Sequence, residues 1–184
     1  DVAGHARGKP IELWWQDEAR VGQQGTLTYT WADKGSRPPA PRDCRYSWAY
    51  IFGAVCPARG TGTGLVLPYA DKEAMTLHLA KIGEAVTPGA HAVVIVDGAG
   101  WHTGGALRVP ANLRLLALPP YAPELNPVEH VWDELREKRF HNHVFDSLDA
   151  LEDHLEIALR DFENDAPRIR SIVAWPWIID ALLK

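Results

Sequence analysis

The sequence predicts an α/β fold: a mixed sheet with helices on its faces. Three observations predict it. Strand-like runs fill the first third, and a helix, two further strands and then helices follow in that order. Val93-Val94-Ile95-Val96 has no polar face, as a central strand covered on both sides requires. Finally, 184 residues of which 46% are hydrophobic can bury one substantial core and do not describe a disordered chain.

The elements follow in order. Residues 11–17 are apolar with two tryptophans and read as a buried strand. A turn at Gly22 and Gly25 leads to a second strand from Thr26 to Trp31, where β-branched, aromatic and apolar positions alternate. Lys34 to Arg45 is a loop rich in proline and arginine, and Tyr46 to Val55 is a strand. The glycine run Gly60 to Gly64 reads as a hairpin turn into a strand at Leu65-Val66-Leu67. It lacks the Lys-Ser/Thr pair of a phosphate loop. Asp71 caps a helix running to about Val86, with Met75, Leu79, Ile82 and Val86 at helical spacing and Pro88-Gly89 as its stop. Residues 91–96 form the central strand, Gly98 to Gly105 a loop or short helix, and Leu113 to Leu118 a further core strand. Helices are expected at about 126–139, 147–162 and 177–183.

Composition narrows the function. No apolar run reaches the roughly 18 residues of a membrane span, and the N-terminus is not a signal peptide. Cys44 and Cys56 are too few and too isolated for a zinc site and read as ordinary thiols, so the expected location is a reducing cytoplasm. The chain begins without methionine, which suits a fragment or a processed protein. A net charge of −5 does not advertise nucleic-acid binding, although carboxylates of a catalytic site add to that total and a local basic stripe can hide beneath it.

Three carboxylates stand where chemistry is commonly placed. Asp17 ends the first strand and Asp97 ends the apolar central one; ligands bind beyond the carboxyl ends of strands in such sheets. Glu129 lies in the first turn of a helix opened by Asn126-Pro127, where an acid also favours the helix dipole. Singly, each has a bland reading as a solvated strand end or a helix-start acid. Together they supply hard oxygen ligands for a pair of Mg²⁺ (or Mn²⁺) ions. Such a pair clamps both oxygens of an in-line phosphoryl displacement.

Pro119 to Glu134, centred on Asn126-Pro127-Val128-Glu129, closely resembles the third catalytic motif of mariner-type DDE transposases, in particular their bacterial insertion-sequence branch. Val94-Ile95-Val96-Asp97-Gly98-Ala99-Gly100-Trp101-His102 resembles the second motif and Gln16-Asp17-Glu18-Ala19-Arg20 the first. Trp31 to Pro38 resembles a family segment between the early strands. The resemblance spans about residues 11–140. It implies an RNase H-like fold and a catalytic, metal-binding triad of Asp17, Asp97 and Glu129. Glu129 follows Asp97 by 32 positions, slightly short of the family spacing, and Gly98 stands where the family commonly has Asn.

Other features are weighed beside these. Glu18 adjoins Asp17, and neighbours on a strand face opposite ways, so only one can line the site. Asp133 shares a helical face with Glu129 and reads either as a supporting ligand or as a solvated residue. His102 either contacts the scissile phosphate or packs. His141-Asn142-His143 carries no nuclease signature. The Trp31–Arg45 loop holds Lys34, Arg37, Arg42 and Arg45 against Asp33 and Asp43, which suits contact with a DNA backbone. Trp175-Pro176-Trp177-Ile178-Ile179 reads first as core closure and second as a homodimer contact.

The resulting expectation is a single RNase H-like domain over 1–184. It would cleave DNA phosphodiesters at element ends and transfer the 3′-OH end to target DNA. Its partner is double-stranded DNA and not a membrane. No helix-turn-helix precedes Ile11, so end recognition in this chain should be weak. Two rival readings remain: a nuclease without strand transfer, and an inactive truncated copy that binds DNA or intact transposase as a regulator.

Overall fold

The structure is a computed structural model and describes residues 4–23, 31–37, 39, 45–98, 107–119, 122–140 and 143–182. Among these, five strands form one sheet: β1 (Ile11–Gly22), β2 (Trp48–Cys56), β3 (Thr61–Leu67), β4 (His91–Val96) and β5 (Leu113–Ala117), in the order β3-β2-β1-β4-β5. β1, β2 and β3 pair antiparallel, whereas β4 and β5 run parallel to β1. The mixed sheet is therefore a meander joined to a parallel half. The helices are α1 (Lys72–Ala85), α2 (Val128–Leu135), α3 (Leu148–Glu163), α4 (Ala166–Val173) and α5 (Pro176–Leu182).

Strand alternation divides the core in two. On one face Trp14, Phe52, Ala54, Ala92 and Val94 pack against Met75, Leu79 and Ile82 of α1. On the other, Trp15, Ile51, Val55 and Ile95 meet Val128, Val131 and Trp132 of α2, Leu155 and Leu159 of α3, and Ile169 of α4. Each long helix starts on a side-chain cap: the Asp71 carboxylate accepts from the Ala74 N–H at 2.9 Å, and Ser147 Oγ accepts from the Ala150 N–H at 3.0 Å.

Several expectations are corrected. The glycine run is mostly strand, since the turn lies at Pro57–Gly60 and β3 begins at Thr61. Gly60 takes φ +64°. Gly64 is needed for close approach, because a Cβ there would lie 3.0 Å from the Phe52 carbonyl oxygen and 3.1 Å from Leu159 Cδ2. β1 runs five residues past Asp17 to Gly22 because β2 continues to pair with it. β5 is an edge strand, with Leu116 55% exposed, and not a core strand. The helix expected over 126–139 is α2 followed by a wider π turn over Arg136–Phe140. α4 was not anticipated; the Asp165 carboxylate caps it through the Arg168 N–H at 3.1 Å. Trp31 is not in a strand, and the rest of the expected strand, residues 26–30, lies outside the described residues. Of the C-terminal apolar run, Ile178 closes the core while Trp177 is exposed.

Candidate active site

β1 and β4 lie side by side and parallel, with Trp15 opposite Ile95. Two residues beyond that pair stand Asp17, still within β1, and Asp97, directly after β4. Both acids thus stand at matching heights, two residues beyond the last β1–β4 pair. Asp17 is buried, at 8% exposure, on the face that α2 covers. Gln16 and Glu18 turn to the opposite face, where the Gln16 side-chain amide donates to Glu18 Oε2 at 3.1 Å. Strand parity thus sets Asp17 and Glu18 on opposite faces, with Asp17 on the side of α2.

α2 delivers Glu129. Asn126 Oδ1 accepts from the Val128 N–H at 3.2 Å and Pro127 is the last residue before the helix, so the first turn is fixed at its entrance. Val128, Val131, Trp132 and Leu135 are buried, which leaves Glu129 at the exposed margin of the helix. Its charge reaches Asp17. Burial first, and then the negative charge of Glu129, push the Asp17 carboxyl from 3.8 up to about 7; a hydrogen bond from Trp132 opposes the rise and the Glu18 charge adds to it.

Trp132 is the site residue that sequence reasoning did not single out. Its indole Nε1 donates to Asp17 Oδ2 at 3.0 Å, and the pair is buried. The two residues are 115 positions apart, and a tryptophan on an amphipathic helix reads simply as core. Asp133, one turn after Glu129, is exposed and its Oδ1 pairs with Arg136 Nη1 at 2.9 Å, so the solvated reading describes it.

A cleft of about 250 Å³ opens along β1 past Asp17, lined by Arg20, Trp48, Trp132, Arg136 and Phe145 among others. The Arg20 guanidinium lies 4.3 Å from the centroid of the Trp48 ring. Of the basic residues expected to meet DNA, Lys34 and Arg37 are exposed. Arg45 donates through Nη1 to the Asp146 carbonyl at 2.6 Å and through Nη2 to that of Phe145, tying its loop to the approach of α3. Arg42 and His102 lie outside the described residues, as does Cys44; Cys56 is a buried free thiol.

The donor set suits a hard divalent cation. All three groups offer carboxylate oxygen, and one of them is a buried acid whose ionisation is opposed by its neighbour, so a cation would relieve the repulsion. Among the described residues no three His, Cys, Asp or Glu side chains are gathered closely enough to enclose one ion.

Residues 12–152 match the family described as DDE superfamily endonuclease. This chain belongs to that family. The chain is 51% identical over 130 residues to uncharacterized protein y4pE/y4sA of Sinorhizobium fredii (strain NBRC 101917 / NGR234), a match covering 71% of this chain and 96% of that protein. Its fold is that of the RNase H-like catalytic domain in the crystal structure of the Mos1 strand transfer complex. There the TM-score is 0.57 at 17% identity, over 89% of this chain and 54% of that one. Against the Mos1 mariner paired end complex with Mn the TM-score is 0.62 at 13% identity, over 87% and 53%. The DDE endonuclease thus spans about half the length of those transposase chains. Among its described residues no helix is long and apolar enough to cross a membrane.

Proposed function

We propose that this DDE endonuclease is the catalytic domain of a DNA transposase. It would cut phosphodiesters at the ends of a mobile element and transfer the freed 3′-OH to target DNA. The observation that carries the reading is the paired placement of Asp17 and Asp97 on adjacent parallel strands, with Glu129 on the helix above bearing on Asp17. The Mos1 structures, a strand transfer complex and paired end complexes with Mn and with Mg, support the DNA and divalent-ion parts of it.

In this mechanism Asp17, Asp97 and Glu129 would hold two Mg²⁺ or Mn²⁺ ions. When bound, the ions would neutralise charge on the attacking and leaving oxygens of an in-line displacement. The sheet fixes Asp17 and Asp97, and α2 sets the distance of Glu129 from them. Lys34 and Arg37, which are exposed, would contact the DNA backbone; the sequence adds Arg42 and His102 as further DNA contacts. Arg45 braces its own loop against residues 145–146. Water attacks first at the element end, and the released 3′-OH is the nucleophile of the second displacement.

The test is cleavage of duplex DNA carrying the element's terminal repeats, with Mn²⁺. Wild type is expected to nick at the repeat boundary, and Glu129→Gln to lose more than about a hundredfold in rate. A second arm supplies a precut end. Transfer of that end into a target duplex supports the transposase, whereas cutting without transfer makes the chain a nuclease. No metal-dependent cutting in wild type overturns both.

A further inference from the structure

We propose that Trp132 is a positioning residue for Asp17: its indole, seated on the bare backbone of Gly53, holds one carboxylate oxygen and leaves the other to the divalent ion. The inference rests on the metal-dependent reading above and assigns a task to a residue outside the triad.

Three independent features of the structure meet at this indole. The first is the buried 3.0 Å hydrogen bond from Nε1 to Asp17 Oδ2. An indole N–H only donates, so it engages the carboxylate in one sense and cannot swap roles. The second is strand pairing: Gly53 of β2 is the Cα partner of Asp17 across the antiparallel ladder and shares its face of the sheet. The third is space. A Cβ on Gly53 would lie 2.5 Å from Trp132 Cη2, 3.1 Å from Cζ2 and 3.3 Å from Cζ3. The sheet has no side chain where the six-membered ring lies, directly beside the acid to which the five-membered ring donates.

A buried tryptophan usually finds some acceptor for its N–H, and a backbone carbonyl serves well, as Ile172 does for Trp175. Trp132 instead takes an oxygen of Asp17, the one buried carboxylate on this face among the described residues. It is also one turn along from Glu129 on the same helix, so a single rigid element sets the Asp17 rotamer and delivers the opposing acid. Partners that orient a metal-binding carboxylate typically change metal affinity or activity by about 10–100-fold when removed.

The experiment measures Mn²⁺ binding by electron paramagnetic resonance of the free ion, alongside the Mn²⁺ midpoint of cleavage, on the whole chain. Trp132→Phe keeps a buried ring and deletes the donor. Benzothienylalanine at position 132 keeps the bicyclic shape and replaces N–H with sulfur, which covers the case in which the phenylalanine variant does not fold. Either is expected to bind Mn²⁺ about tenfold more weakly and to raise the cleavage midpoint in parallel. The matched control is Trp14→Phe, which deletes an indole–carboxylate bond of 2.8 Å to Glu12 on the opposite face. It should lower the melting temperature while leaving Mn²⁺ affinity unchanged. Wild-type Mn²⁺ affinity in the benzothienylalanine protein overturns the positioning role alone. A wild type that neither binds Mn²⁺ nor cuts DNA overturns the functional reading, and the positioning role falls with it.

Discussion

Burial and the Glu129 charge both oppose ionisation of Asp17. Its carboxyl titrates at about 7 in the folded protein against 3.8 when unperturbed. The folded state therefore keeps this proton more tightly than the unfolded chain does. The associated stability is complete below about pH 4, declines as pH rises, and is gone above about pH 7. The integrated effect is at most about 4 kcal/mol. Asp17→Asn keeps an acceptor for Trp132 and removes the charge. In chelator, urea melts of this variant at pH 5 and pH 8 should show less loss of stability than wild type across that interval, and the variant should be the more stable protein at pH 8. It should also cut no DNA. Gly98 offers a contrasting case at the same scale. No heavy atom lies within 4 Å of a Cβ built there, so Gly98→Asn should change stability by no more than about 0.5 kcal/mol in thermal melts.

Helix α2 carries both Glu129 and Trp132, so its seating decides whether the carboxylates meet. One joint fixes it to α4: Glu134 Oε1 accepts from Arg168 Nε at 2.9 Å and Nη2 at 2.8 Å, with Lys138 Nζ on the same oxygen. These cations hold the Glu134 carboxyl below its ordinary range. Both partners are partly exposed, so Arg168→Ala should cost only about 1 kcal/mol in denaturant melts. Cleavage should fall by a larger factor than that stability loss implies, because the helix that carries Glu129 loosens. Gly64→Ala tests the other packing contact, α3 on β3, and should destabilise by about 1–3 kcal/mol through overpacking against Leu159. At this scale the sequence was legible wherever the signal was local. β4 follows from an unbroken apolar run and α1 from its Asp71 cap. β3 was misread because its glycines answer to a helix about a hundred residues away, and no local pattern records that. β5 was misplaced in the core because strand hydrophobicity does not say which strand lies at an edge.

For the whole molecule, the same long-range logic separates what could be read from what could not. Asp17, Asp97 and Glu129 could be named as candidates because apolar strands and a helix start are visible in the chain itself and because their motifs resemble those of a family, although Asp17 lies inside β1 and not at its end. Trp132 and Gly53 were not, since their meaning depends on strand register and on how α2 lies across the sheet. Net charge gave little guidance, because the acids that would hold cations count against the basic loop that would hold DNA. The molecule as a whole should respond to metal. Millimolar Mn²⁺ should raise the melting temperature of wild type at pH 8 by mass action, and Glu129→Gln should shrink that rise. Acid should act through a different group. Burial in the α1 core holds His78 at about 4, so its contribution is present above pH 6.5 and is lost as pH falls through 4. His78→Phe should flatten the acid limb of a stability–pH curve and leave the response to Mn²⁺ intact.

The pairing of Asp17 with Gly53 also guards against mis-threading. If β1 slid by one residue along β2, every one of its side chains would change sides, and Glu18 would arrive where Asp17 belongs. The indole would keep its gap in β2 but meet a carboxylate set one methylene farther from the strand, and to the extent that the bond fails, an unpaired buried donor costs about 1–3 kcal/mol. The register of the sheet is thus tied to the candidate site. A chain that assembles its sheet out of step is penalised at the very spot where it would have been inert.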